Sequence, residues 1–259
     1  MKKPSLLDLR LFNLIMAGLH FMQAIVVLLI ADWKVTLPVT TSFLQFNIAD
    51  QALEPAQATL FDLPLVAVVV GFLLLSALAH LVISTLYHKQ YQKDLEQGIN
   101  KFRWIEYAIS ASTMMVGIAM LVGIYDLSAL LMIFGLVAIM NLLGLVMELH
   151  ALDRRALNKP ISWLSFNLGS LAGILPWLVV ALYFWGSNKY GTGDIPTFVY
   201  WIFGTIFVFF NCFALNMYLQ YKQIGPWKNY LYGERAYIIL SLVAKSALAW
   251  QLFAGTLRP

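Results

Sequence analysis

The sequence predicts an all-α membrane protein, a bundle of seven transmembrane helices with a small β element in its first outer loop. Three observations predict it. Hydrophobic residues make up 61% of the 259 positions, and charged residues only 12%, roughly half the ~25% of a soluble domain. Seven windows reach the ~20 mostly apolar residues that a helical span needs. Strands of alternating polarity, the mark of a membrane barrel, are missing. So few charges exclude an ordinary cytosolic enzyme, a disordered chain and a strongly charged nucleic-acid binder. One cysteine, Cys212, excludes an intrachain disulfide framework and a cysteine-rich zinc site.

The expected spans are 11–31, 63–87, 104–125, 127–147, 161–187, 195–221 and 236–257, forming one domain over residues 1–259. The first is too long, and too interrupted by Asn13, His20 and Gln23, to be a cleaved signal peptide. The third and fourth are separated by a tight turn at Tyr125-Asp126, because one continuous helix would overrun the bilayer. Between the first and second lies the one long loop, Asp32 to Asp62. Its β-branched and aromatic run Val35 to Phe43 predicts a short strand pair.

Basic residues set the orientation. Lys2, Lys3, Arg10, Lys89, Lys93, Lys101, Arg103, Arg154, Arg155, Lys159, Lys222, Lys228 and Arg235 fall on the N-terminal side, thirteen in all. Lys34, Lys189 and Arg258 fall on the other. This predicts a cytoplasmic N-terminus and an extracellular C-terminus in a cell membrane. The inner basic residues could meet a soluble signalling partner, but simple attraction to anionic lipid is the favoured reading of them.

One cation belongs to neither side. Lys245 lies near the middle of the seventh span, where an uncompensated lysine costs at least ~2.5–3.5 kcal/mol, and an intramembrane charge marks function by default. Glu106, near the inner start of the third span, is one partner for it; at about 4 Å and an effective dielectric near 20 their attraction is ~4 kcal/mol. Glu106 could instead pair with Arg103, three residues earlier on the same helix face. Glu148, at the inner end of the fourth span, reads as a solvated helix end. Around the lysine gather Ser241 at i−4, Ser110 and Thr113 after Glu106, Ser76 and His80 on one face of the second span, and His20 and Gln23 in the first. Each alone is ordinary packing or a backbone-bonded hydroxyl. Together they outline a polar cavity in the inner half.

A buried amine binds an anion, relays protons or condenses with a carbonyl compound. Met114, Met115, Met140, Gly144, Pro176, Trp177, Phe203, Phe209, Phe210 and Trp250 could enclose a long apolar ligand or simply pack the helices. Gly169 and Gly173 form a small-xxx-small helix contact. No metalloprotease, nucleophile-elbow or phosphate-loop motif occurs, which argues against an enzyme. Gly191-Thr192-Gly193-Asp194 reads as an outer turn, and His88 and His150 as isolated residues rather than metal ligands.

The run Gly233 to Gln251, with Phe102-Arg103-Trp104-Ile105-Glu106-Tyr107, Leu219-Gln220-Tyr221-Lys222 and Asn229-Tyr230-Leu231, resembles the heliorhodopsins over essentially the whole chain. The resemblance implies a light-sensing protein with all-trans retinal bound covalently to Lys245 as a protonated Schiff base and Glu106 as its counterion. It implies Ser241 in the place of a second carboxylate, and a polar network of Ser76, His20, His80 and Gln23. It implies pocket positions at Met115, Met140, Gly144, Phe210 and Trp250; Tyr107, Ser110 and Met114 join the set by position. It further implies a homodimer. The competing readings are a light-gated proton or ion conductor, and a retinal-free transporter using Lys245 and Glu106.

Overall fold

The computed structural model describes residues 6–193 and 195–257; Lys2, Lys3, Asp194 and Arg258, used above for charge and turn arguments, lie outside them. Helix α1 (Leu6–Ile30) leads into strands β1 (Thr36–Asn47) and β2 (Ala52–Pro64), then α2 (Leu65–Ser84), α3 (His88–Glu96), α4 (Lys101–Leu121), α5 (Leu127–Ala156), α6 (Leu164–Tyr190), α7 (Thr197–Tyr221) and α8 (Tyr230–Leu252). Among the described residues, seven helices are long and apolar enough to cross a membrane; α3 is the one that is not.

Neighbouring helices pack in the order α1–α2, α2–α4, α4–α5 and α5–α6, while α7 packs on α8 and α8 returns to α1. Between α6 and α7 the joint is aromatic: Trp177 meets Phe203, Phe207 and Phe210 edge-on, and Phe184 meets Tyr200 and Phe203. Outward-facing Leu11, Leu29, Leu131, Leu168 and Leu182 are exposed, as a lipid-facing surface requires.

The α4–α5 turn starts earlier than the sequence suggested. Helix α4 ends at Leu121, and Gly123 with φ 95° takes a left-handed conformation that a side chain would strain. Asp126 then caps α5, accepting from the Ser128 and Ala129 amides at 3.0 and 3.4 Å. Helix α5 runs 30 residues, about 45 Å at 1.5 Å per residue, well past the expected end at 147.

The outer loop is more ordered than a short strand pair. β1 and β2 form an antiparallel hairpin from Thr36↔Pro64 to Asn47↔Ala52, with a bulge between Val39 and Thr40. Asn47 closes the turn by accepting from the Ala49 amide at 3.0 Å and donating to Asp50 at 2.7 Å. The base is anchored to the bundle: Thr40 N donates to Tyr125 O at 2.9 Å, and Ser42 N to Asp126 Oδ2 at 3.0 Å. β2 passes into α2 with no linker, since Pro64 is the N-cap of α2.

Helix α3 has no counterpart in the sequence reading. Its buried Tyr91 and Leu95 join Leu9, Met16, Ile83 and Ile238 in a small core that closes the N-terminal end of the bundle. Gly98, at φ 73°, turns the chain from α3 into α4.

Candidate functional site

Lys245 is buried, and its Nζ donates to Glu106 Oε1 at 2.8 Å and to Ser241 Oγ at 2.9 Å. One helical turn separates Ser241 from Lys245, which stacks both on the face of α8 turned toward α4. The same Glu106 oxygen accepts from Ser76 Oγ at 2.7 Å, so α2, α4 and α8 meet at one carboxylate. The Nζ also sits 5.3 Å from the Tyr107 ring centroid, within cation–π range. Tyr107 is held in turn by its hydroxyl, which donates to Tyr237 O at 3.0 Å.

Arg103 does not compete for Glu106. Its guanidinium donates to Glu148 and to Glu234 and lies 4.0 Å from the Tyr237 ring centroid. Glu148 is therefore no solvated helix end. It is 1% exposed, accepts from Asn100 N at 2.8 Å and takes the Tyr230 hydroxyl at 3.1 Å. Glu234, counted by sequence as an inner-surface acid, is equally buried and accepts from Asn100 Nδ2 at 2.6 Å. Burial explains the geometry: two carboxylates this far from water need a guanidinium, and removing one partner of a buried pair costs about 3–5 kcal/mol.

The histidines lie behind the pair. His20 and His80 stack with centroids 5.6 Å apart, and His80 Nδ1 is 2.7 Å from Asn13 Oδ1. Both rings are within electrostatic range of Lys245. Gln23 turns away from them. It bonds Leu19 O and accepts from Trp250 Nε1 at 3.0 Å.

On its other side Lys245 borders a cavity of about 170 Å³ walled by α4, α5, α6, α7 and α8. That is more than ten times the ~10–15 Å³ a single water occupies by the same measure. Tyr107, Ser110, Met114, Met115, Met140, Gly144, Phe210 and Ser241 all reach it. Gly169, Gly173 and Trp177 do too, so the two glycines serve the cavity as well as a helix contact; Gly169 also lies against Met140 of α5. Glu106, Ser76, His20, His80 and Gln23 do not line it, and neither does Trp250, which is 38% exposed. Sequence reasoning missed Trp104, Phe166, Phe213 and Met217 in the wall. They are ordinary apolar residues in apolar spans and carry no local signal. The Arg103–Glu148–Glu234 cluster did have one: a cation and two anions within a turn or two of the same bilayer boundary.

The arrangement is thus an amine at the boundary between an apolar slot and a polar, carboxylate-centred network. A protein-family description, Heliorhodopsin, matches residues 9–257. No curated protein matches the chain. Matching over almost its entire length, with seven helices able to span a bilayer, this multi-pass membrane protein belongs to the heliorhodopsins, a family of retinal-binding, light-sensing rhodopsins.

Proposed function

We propose that this protein is a light sensor in which all-trans retinal is joined covalently to Lys245, with Glu106 as counterion. The observation that carries this reading is the position of the Lys245 amine, 2.8 Å from Glu106 Oε1 and at the end of the apolar cavity. The slot suits a long, largely apolar carbonyl compound. Gly144 and Gly173 keep its walls flat, because a Cβ at either would strike the Trp104 ring or Met140. When bound, retinal absorbs visible light and changes shape about a double bond.

The chain's own residues do the rest. Glu106 balances the positive charge on the Lys245 nitrogen and receives its hydrogen bond. Ser76 and Ser241 fix that geometry by holding the carboxylate and the nitrogen from two other directions. Tyr107, pinned through Tyr237, forms the floor. Methionines and aromatic rings exclude water from the slot.

Signalling is favoured over ion transport because titratable groups are unevenly placed. His80, Glu106, Glu148 and Glu234 all lie toward the N-terminal end and His20 lies near the middle of its span, while the hairpin-side halves of the other spans carry no Asp, Glu or His. A displaced proton can leave and return on one side, but it has no vectorial route across. The basic loops support a cytoplasmic N-terminus, attraction to anionic lipid and a surface for a signalling partner. Family membership supports a homodimer built from single seven-helix units.

Retinal reconstitution tests the reading. The unmutated protein is expected to gain a visible absorption band, and Lys245→Arg to stay colourless; a band retained in the variant refutes the linkage. Photocurrent under voltage clamp on the same sample separates a sensor, which passes no sustained current, from a light-gated conductor.

A further inference from the structure

The proposed function leaves one buried charge cluster unused. Arg103 is held between Glu148 and Glu234, and all three are nearly inaccessible to solvent. With every member ionised the trio carries one surplus negative charge in a low-dielectric site, an unfavourable state that a single proton relieves.

A second cavity, about 20 Å³, lies between this cluster and Glu106. Asn13, His80, Asn100, Arg103, Glu106 and Glu234 line it. Its size is close to the ~10–15 Å³ that one water requires. Arg103 Nε, a buried donor with no protein partner, belongs to a residue on its wall. Such a water finds a donor there and carboxylates on opposite sides. Glu148 does not reach this cavity; Glu234 does.

We infer that Glu234 is the store for the proton displaced from the Lys245 nitrogen, reached through Glu106 and one water in this cavity. The inference rests on the retinal reading above. The steps balance without any reactant other than the photon. The N–H bond at Lys245 breaks and an O–H bond forms on Glu106. Glu106 passes that proton to the water while the water gives one to Glu234. Glu106 ends ionised, Glu234 ends as a carboxylic acid, and the cluster goes from one negative charge to none. The reverse path restores the dark state.

The groups facing Glu234 from other elements are Asn13, His80, Tyr91, Asn100, Arg103 and, across the guanidinium, Glu148. Tyr91, on α3, donates to Glu234 Oε1 at 3.4 Å. Burial and the neighbouring Glu234 push its phenol well above the ordinary tyrosine range, so it remains a donor and does not compete. His80 is the rival store, because it borders the same cavity.

The test is light-minus-dark infrared spectroscopy with flash photolysis on the full-length, retinal-loaded protein. A carboxylic-acid C=O band should rise together with blue-shifted visible absorbance. Glu234→Gln should abolish that band and slow the rise by about a hundredfold or more, the low end of a positioned proton acceptor's contribution. Glu148→Gln should keep the band. Glu234→Asp, which retains the charge, should keep it at a shifted frequency and guards against a misfolded amide variant. A band that survives Glu234→Gln, or an imidazolium signal that vanishes with His80→Gln, overturns Glu234 as the store while leaving the retinal reading intact. Failure of the unmutated protein to form any visible band overturns both.

Discussion

Glu106 Oε1 accepts from Lys245 Nζ at 2.8 Å and from Ser76 Oγ at 2.7 Å, so its charge, more than its shape, is what an amide would lose. Glu106→Gln is expected to form pigment whose absorption lies at longer wavelength, because the negative charge beside the nitrogen is gone. An unchanged spectrum would count against the counterion role. This pair was legible in the sequence because a lysine in the middle of an apolar span has no ordinary explanation. Glu148 and Glu234 were not. Near a helix end a solvated carboxylate and a buried, guanidinium-paired one occupy the same sequence position. Only the packing of α3, α4, α5 and α8 around them decides which it is. Trp250 shows the converse: an aromatic residue one turn past the lysine looks like pocket lining, yet it faces α1 and bonds Gln23.

Helices α1, α2 and α4 to α8 were readable from hydropathy, since span length is imposed by bilayer thickness, although α5 runs well past its expected end and α1 and α8 start before theirs. Helix α3 was not, because nine residues, seven of them polar and two buried and apolar, carry too short a period to stand out. The hairpin was read as a shorter strand pair, since most of its side chains are exposed and no buried face marks its length. Its anchor makes a prediction. Hydrogen bonds from Ser128 and Ser42 hold the Asp126 carboxyl below the usual carboxylate range. A lowered folded-state value contributes stability above the unfolded value and loses it as pH falls through the folded one. The anchor should therefore be constant through neutral pH and fail only in acid below the ordinary carboxylate range. Asp126→Ala should speed hydrogen–deuterium exchange at the Ser42 amide and proteolysis at residues 48–51 at neutral pH; unchanged rates would dismiss the anchor.

Across the bundle, basic residues collect at the end where α3 packs, and the hairpin marks the opposite end. The proposed orientation puts the hairpin outside the cell. A cysteine at Ile48, exposed at the hairpin tip, should react with an impermeant maleimide on intact cells, in a Cys212→Ser background. A cysteine at Leu157, exposed beyond α5, should react only after permeabilisation. The reverse pattern would invert the topology, although the Lys245 site would be unaffected.

The unbroken passage from β2 into α2 has a mechanical consequence. Thirteen residues of strand at about 3.3 Å each extend roughly 40 Å from the top of that helix. A tilt of about 3° at the root would sweep the far end by ~2 Å. The hairpin is also tethered to the turn between α4 and α5. It therefore works as the needle of a gauge, magnifying any slip of α2 relative to that turn, between the helices that carry Ser76 and Glu106.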